Sequence, residues 1–241
     1  MESSQEDQPL TWPILAWLCV ALAGVVAPAL AMLLLADAPA PLVWVGGPIL
    51  AVALMGSGMI AAAAAGRLWI GILLALLTGA GLVLFARALG MPSLSNPLST
   101  TLAFLVASFS FAARGALFAR SSPGKGWWIA IAVVAGEAAI VLTAVARPDT
   151  LPDWLLALLP AQWATMAIQT AFTGTGILAA SSALIALSGT AAATMLVASL
   201  WPRRWPYLVM FTTWLGLSAL VYHQPGPPLP RPDLASAAQV G

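Results

Sequence analysis

The sequence predicts an all-α fold, a polytopic integral membrane bundle of about seven transmembrane helices plus a short interfacial or re-entrant helix. Three observations carry that expectation. Of the 241 residues, 61% are hydrophobic and 7% charged, against roughly a quarter charged in an ordinary soluble domain. Mean hydropathy is +0.96, too apolar for a disordered polar chain. The few charges fall in clusters separated by apolar runs. A bilayer core of about 30 Å takes about 20 residues of helix, and most of those runs are that long.

The elements follow from the punctuation. A short N-terminal tail, 1–11, is acidic where a secretory signal would be basic, and reads as a retained cytoplasmic tail. The first span, 12–36, stops at Asp37-Ala-Pro-Ala-Pro41, a proline-marked turn that opens the second span at 42–65. Gly66-Arg67 separates that helix from a third, 68–88, which closes at Gly90-Met-Pro92. The fourth, 98–119, ends at the polar turn Arg120-Ser-Ser-Pro-Gly-Lys125, and Trp127 and Trp128 begin the fifth, 127–146, as interfacial anchors. After Arg147-Pro-Asp-Thr-Leu-Pro-Asp153 no charge appears until Arg203. In this stretch 154–172 reads as a helix broken by Pro160, lying on the membrane surface or re-entering it, with Gly174-Thr-Gly176 as a hinge. The sixth and seventh spans are 177–201 and 205–222, and 223–241 is a proline-rich tail.

Loop charge supports seven spans over eight. With a cytoplasmic N-terminus, seven spans place Arg67, Arg114, Arg120, Lys125, Arg203 and Arg204 inside, six of the nine basic residues, and Arg87, Arg147 and Arg231 outside. Eight spans give five against four. The orientation suits a bacterial inner membrane.

Composition excludes much chemistry. The single cysteine, Cys19, and single histidine, His223, leave no disulfide, thiolate cluster or multi-histidine metal site, so no metal and no cofactor is expected. Nine basic residues spread along the chain do not make a nucleic-acid surface. The one lysine, Lys125, lies in a loop, out of place for a Schiff base. Gly56-Ser-Gly58 lacks the order of a nucleophile elbow, and Met55 with Met59 has no further soft ligand. No catalytic constellation is found, and the chain is not expected to be an enzyme.

Glu137 is the exception. It lies about 16 Å along the fifth span, near mid-bilayer, where an ionisable group must be protonated, paired or hydrated. Arg114, about 8 Å inside the fourth span, is its candidate partner, and the two form a candidate proton or ion site; the alternatives are an Arg114 that reaches outward to the headgroups and a neutral Glu137 hydrogen-bonded to a neighbouring helix. Thr101, Ser108 and Ser110 on the fourth span are candidate cavity-lining residues. Gln162, Thr165, Gln169 and Thr173 recur every three or four residues and make a polar stripe. A surface-resting helix is the simpler account of that stripe, with Gln162, Gln169 and Thr173 as cavity-lining candidates otherwise. The expected function is a transporter or permease component moving a small solute or ion. The alternative is a non-catalytic accessory or assembly subunit of a larger membrane complex. Expected partners are the lipid bilayer and either other membrane subunits or further copies of the chain. Topology reporters fused after Gly176 and after Gly241 are expected to read outside in both cases, and an inside reading for Gly241 would reject seven spans.

Overall fold

A computed structural model describes residues 11–36, 42–91, 94–147, 150–174 and 179–224, and every described element is helical. In order they are α1 (Thr11–Ala21), a π-helical turn (Leu22–Val26), α2 (Ala27–Leu35), α3 (Leu42–Ala65), α4 (Leu68–Ala88) and α5 (Pro97–Ser121). Then come α6 (Gly126–Ala146), α7 (Asp153–Ala157), α8 (Pro160–Thr173), α9 (Ser181–Leu200) and α10 (Trp205–His223). The molecule is a multi-spanning helical membrane protein. Among the described residues six helices are long and apolar enough to cross a bilayer. They are the α1–α2 rod from Ile14, α3 from Val45, α4, α5, α6, and α9 to Ser199. The expected seventh span forms α10, 19 helical residues packed on α9, but its ends carry Trp205, Pro206, Tyr207, Tyr222 and His223 and it falls outside that apolar set. The expected hinge residues Thr175 and Gly176, and both tails, lie outside the described residues.

The bundle is built around α3. In its best apolar stretch 83% of residues are buried inside the protein, against 17% for α6 and 28% for α4. Such burial needs small side chains, since apolar helices in lipid associate by close packing and not by expelling water. The first rod shows how. A Cβ on Gly24 would lie 2.8 Å from that of Ser57, and one on Gly56 2.9 Å from that of Ala23, so the two backbones touch through reciprocal glycines. This crossing coincides with the π-helical turn. Pro28 has no N–H to give the carbonyl four residues earlier, and the helix widens there, with Ala27 N–H bonding Leu22 O.

Contacts fix the direction of each helix. Arg120 Nη1 donates to Ala198 O, so α5 and α9 finish together, and Ser182 Oγ donates to Gln224 O at 3.1 Å, so α9 starts where α10 ends. One end of the bundle thus gathers Arg67, Arg120, Lys125, Arg203 and Arg204, the other Arg87 and Arg147. Leaving α6 at Arg147, the chain turns inward through α7, reaches mid-bundle between Leu158 and Ala161, and returns along α8 to Gly174. There Asn96 Nδ2, at the start of α5, donates to Gly174 O at 3.3 Å. Gly174 ends α8 with φ +77°, the left-handed cap glycine supplies without strain. The hairpin α7–α8 therefore enters and leaves at the Arg147 end.

That placement corrects the surface-resting reading of 154–172. Trp163 and Ile168 are fully buried, and most other residues of α8, which packs on α3, α5 and α9, are buried as well. Pro160 does not break one helix but opens a new one, at the position where its missing N–H costs nothing. The two tryptophans at 127 and 128 also part company. Trp128 is exposed at the bundle end, while Trp127 is buried, with the rings stacked at 4.3 Å.

Gly56→Leu is expected to cost about 1–3 kcal/mol by overpacking the rod crossing. Gly81→Leu, which faces open space, is expected to unfold at the wild-type temperature in mild detergent, and equal behaviour of the two variants would reject the crossing as a tight contact.

Candidate functional site

The tip of the α7–α8 hairpin is irregular backbone at the middle of a membrane bundle. Such backbone is tolerated only where protein groups satisfy it, because lipid offers no hydrogen bonds. Three side chains do so. Trp163 Nε1 donates to Ala157 O at 2.9 Å, and Trp214 Nε1, from the middle of α10, donates to Leu158 O at 3.1 Å. On the donor side, Ala161 N–H at the start of α8 gives its hydrogen to Glu137 Oε2 at 2.9 Å. Pro160 has no amide hydrogen, and Gln162 and Trp163 return theirs to Leu159 O, so Glu137 takes the first amide of α8 that points into the bundle.

The other oxygen of Glu137 accepts from Arg114 Nη1 at 3.1 Å. Both side chains are mostly enclosed, with 15% of Arg114 and 12% of Glu137 exposed. The guanidinium also lies over the Phe111 ring, 5.1 Å from its centroid, a cation–π contact within its own helix. A helix carries a partial positive charge of about half an electron at its N-terminus. The carboxylate thus faces positive charge on two sides, a full one on α5 and a partial one on α8. This compensates the several kcal/mol that a buried ion costs on leaving water. The pairing of Arg114 with Glu137 follows from helix geometry. Side chains on a helix lean toward its N-terminus, which carries Arg114 away from the Lys125 end and into the bundle.

Among the described residues, three polar atoms at this pair and next to it are buried without a hydrogen-bond partner. Arg114 Nε and Nη2 are two of them, and Ser110 Oγ is the third. Ser110, 1% exposed, stands one helical turn before Arg114 on the same face. Ser108 Oγ is likewise buried and unpartnered, but its spacing to Ala112 and Gly115 sets it on the face turned to α3, away from Arg114.

The remaining sequence candidates scatter. Thr101 is exposed on the outside of the bundle and donates to Pro97 O at 2.9 Å, so it lines no cavity. Thr165 and Thr173 donate to their own helix at Ala161 O, 2.9 Å, and Gln169 O, 3.1 Å. Gln169 is buried against α3, where its side chain fills the space a Cβ on Gly47 would need. Gln162, half-buried, is the member of the stripe closest to the hairpin tip. Met55 and Met59 are core residues. A cavity of about 350 Å³ between the first rod, α3 and α6 is lined by apolar side chains, including Val52, Ile60, Ile131 and Leu142, and Glu137 is not part of it. Among the described residues no three His, Cys, Asp or Glu side chains are grouped as a metal would require.

Trp163, Trp214 and the Ala161 amide are site groups that sequence reasoning missed. Pro160 carries the usable signal, since a proline at the first position of a helix announces a helix start, and a helix start announces amides in need of an acceptor.

The chain matches no family model, no curated protein and no solved structure.

Removing either charge is expected to destabilise the protein by about 3–5 kcal/mol, because the other is left buried and unpaired. The double variant Arg114→Met with Glu137→Gln removes both charges and keeps an acceptor for Ala161 N–H. It is expected to lose less than either single change, measured as unfolding free energy in detergent, and additive losses would show that the pair is not coupled.

Proposed function

We propose that the protein is a permease component that moves a small ion or solute, with the α7–α8 hairpin and the Glu137–Arg114 pair forming its route. One observation carries the reading: a half-length helix stops at mid-bundle, and its first amide rests on a buried ion pair. Interrupted helices whose N-termini face charged groups near the bilayer midplane are the usual way membrane transporters build a solute site. A bundle that only had to hold together gains nothing from this arrangement, since apolar residues at 114 and 137 would avoid two desolvation penalties.

Glu137 ties three moving parts, α5, α6 and the hairpin. While it is ionised, it holds the tip of α8 by the Ala161 amide and holds Arg114 by Nη1. A proton on the carboxylate removes the charge that both partners grip, and the hairpin tip is freed. The basic end, with Arg67, Arg120, Lys125, Arg203 and Arg204, faces the cytoplasm of a bacterial inner membrane by charge asymmetry, and the N-terminus lies on that side. The hairpin then dips in from outside. The sequence carries no nucleotide-binding loop, so the energy comes from an ion gradient or from a separate ATPase.

Purified protein in liposomes under an imposed pH gradient is expected to carry proton-coupled flux that falls at least about tenfold in Glu137→Gln. Absence of flux, together with co-migration with other subunits in mild detergent, would overturn the reading in favour of an accessory subunit.

A further inference from the structure

We propose that Arg114, Ser110 and the N-terminus of α8 form a binding site for one small monovalent oxyanion, taken up together with one proton on Glu137. The inference rests on the permease reading and names the substrate class of that site.

The donor set is larger than the single carboxylate uses. Arg114 gives Glu137 only Nη1. Its Nε and Nη2 groups, buried and without an acceptor, are together the side-on edge of the guanidinium. This is the planar fork that grips two oxygens of one carboxylate or similar anion at once. Ser110 Oγ, also unpartnered and 1% exposed, stands one turn N-terminal on the same face, the direction in which the Arg114 side chain leans. The Ala161 amide completes the set at the start of a 14-residue helix. Among these groups the Glu137 carboxylate is the one full-strength acceptor. Each buried donor without an acceptor costs about 1–3 kcal/mol, and an oxyanion would satisfy several at once.

Charge balance then couples the anion to a proton. Arg114 with ionised Glu137 is neutral, and so is Arg114 with protonated Glu137 and a bound monovalent anion. The two other combinations leave one net charge buried in the bundle and are strongly disfavoured. The groups facing Glu137 leave this balance to the pair. The packed elements α3 and α8 contain no titratable side chain, α5 brings Arg114 with its second arginine, Arg120, bonded far off to Ala198, and α1 brings Cys19. In the exchange a proton adds to Oε2 of Glu137, the bond from Ala161 N–H to that oxygen breaks, and Oε1 still accepts from Arg114 Nη1–H. Nε–H and Nη2–H, which share one edge of the guanidinium, then close on the anion together with the released Ala161 N–H. Arg114 stays protonated throughout.

The test uses the full chain in mild detergent, with nitrate as the probe and chloride replaced at constant ionic strength. Nitrate is expected to raise the unfolding temperature at about pH 5 and to bind with an affinity that falls about tenfold per pH unit toward pH 8. Each bound ion should take up about one proton from a weakly buffered solution. Glu137→Gln is expected to bind nitrate equally at both pH values without proton uptake, and nitrate should restore its stability. Arg114→Lys keeps the charge but not the fork, and is expected to bind at least about tenfold more weakly. Ser110→Ala, which leaves the ion pair in place, is expected to weaken binding several-fold. Any of three outcomes would overturn the site: equal affinity for chloride, full nitrate binding by Arg114→Lys, or pH-independent binding by the wild type. Nitrate binding with proton uptake but without flux in liposomes would leave the site standing and reject the permease reading. Proton-coupled flux of another solute without nitrate binding would do the reverse.

Discussion

A carboxylate held between a guanidinium and a helix amide is the constraint on which the rest of the structure turns. Glu137 cannot sit at mid-bundle without compensation, and neither can the unsatisfied amides at the start of α8 or the charge of Arg114. Each is acceptable because the other two are there. The three groups come from α6, α8 and α5, so meeting this one requirement fixes the relative position of three helices. The indoles of Trp163 and Trp214 complete the accounting by covering the carbonyls that α7 leaves open.

Around this polar point the packing is of the plain membrane kind. Alanine and glycine on α3 let five neighbours come close, and long aliphatic side chains such as Leu34, Leu84 and Leu98 fill the outer surface. A central helix free of ionisable groups does not compete with the ion pair for partners. The polar and apolar parts of the design are thus kept apart: an apolar cavity lies along the first rod, and the charged pair lies between α5, α6 and α8.

The long helices were legible because apolar length and charged punctuation report bilayer crossing directly, and the boundaries of α3 and α4 agree with the sequence expectation at both ends. Glu137 stood out for the same reason, as a charge where none is cheap, whereas the place of Arg114 one turn inside a helix end left open whether its side chain reaches inward to Glu137 or outward to the headgroups. The hairpin was harder. The stripe Gln162, Thr165, Gln169 and Thr173 signals a polar face, but a polar face is equally compatible with water, with a cavity, or with α3 presenting Gly46 and Gly47 for close approach. Hydrophobic periodicity does not distinguish a helix buried by its neighbours from one resting on headgroups. The hydroxyls misled for another reason: Thr101, Thr165 and Thr173 all satisfy themselves on their own backbone, a local option that no spacing rule reveals.

The shortness of α8 also bears on how the protein is made. Fourteen residues span about 21 Å, less than a bilayer core, and Gln162 and Gln169 forbid the segment a stable life in lipid on its own. Helices that cross the membrane can insert one at a time and associate afterwards, but α7 and α8 have no such independent stage. They settle into a groove lined by α3, α5, α6 and α9, with the carboxylate at its floor. The bond from Ala161 to Glu137 therefore depends on α6 already standing in place beside α5.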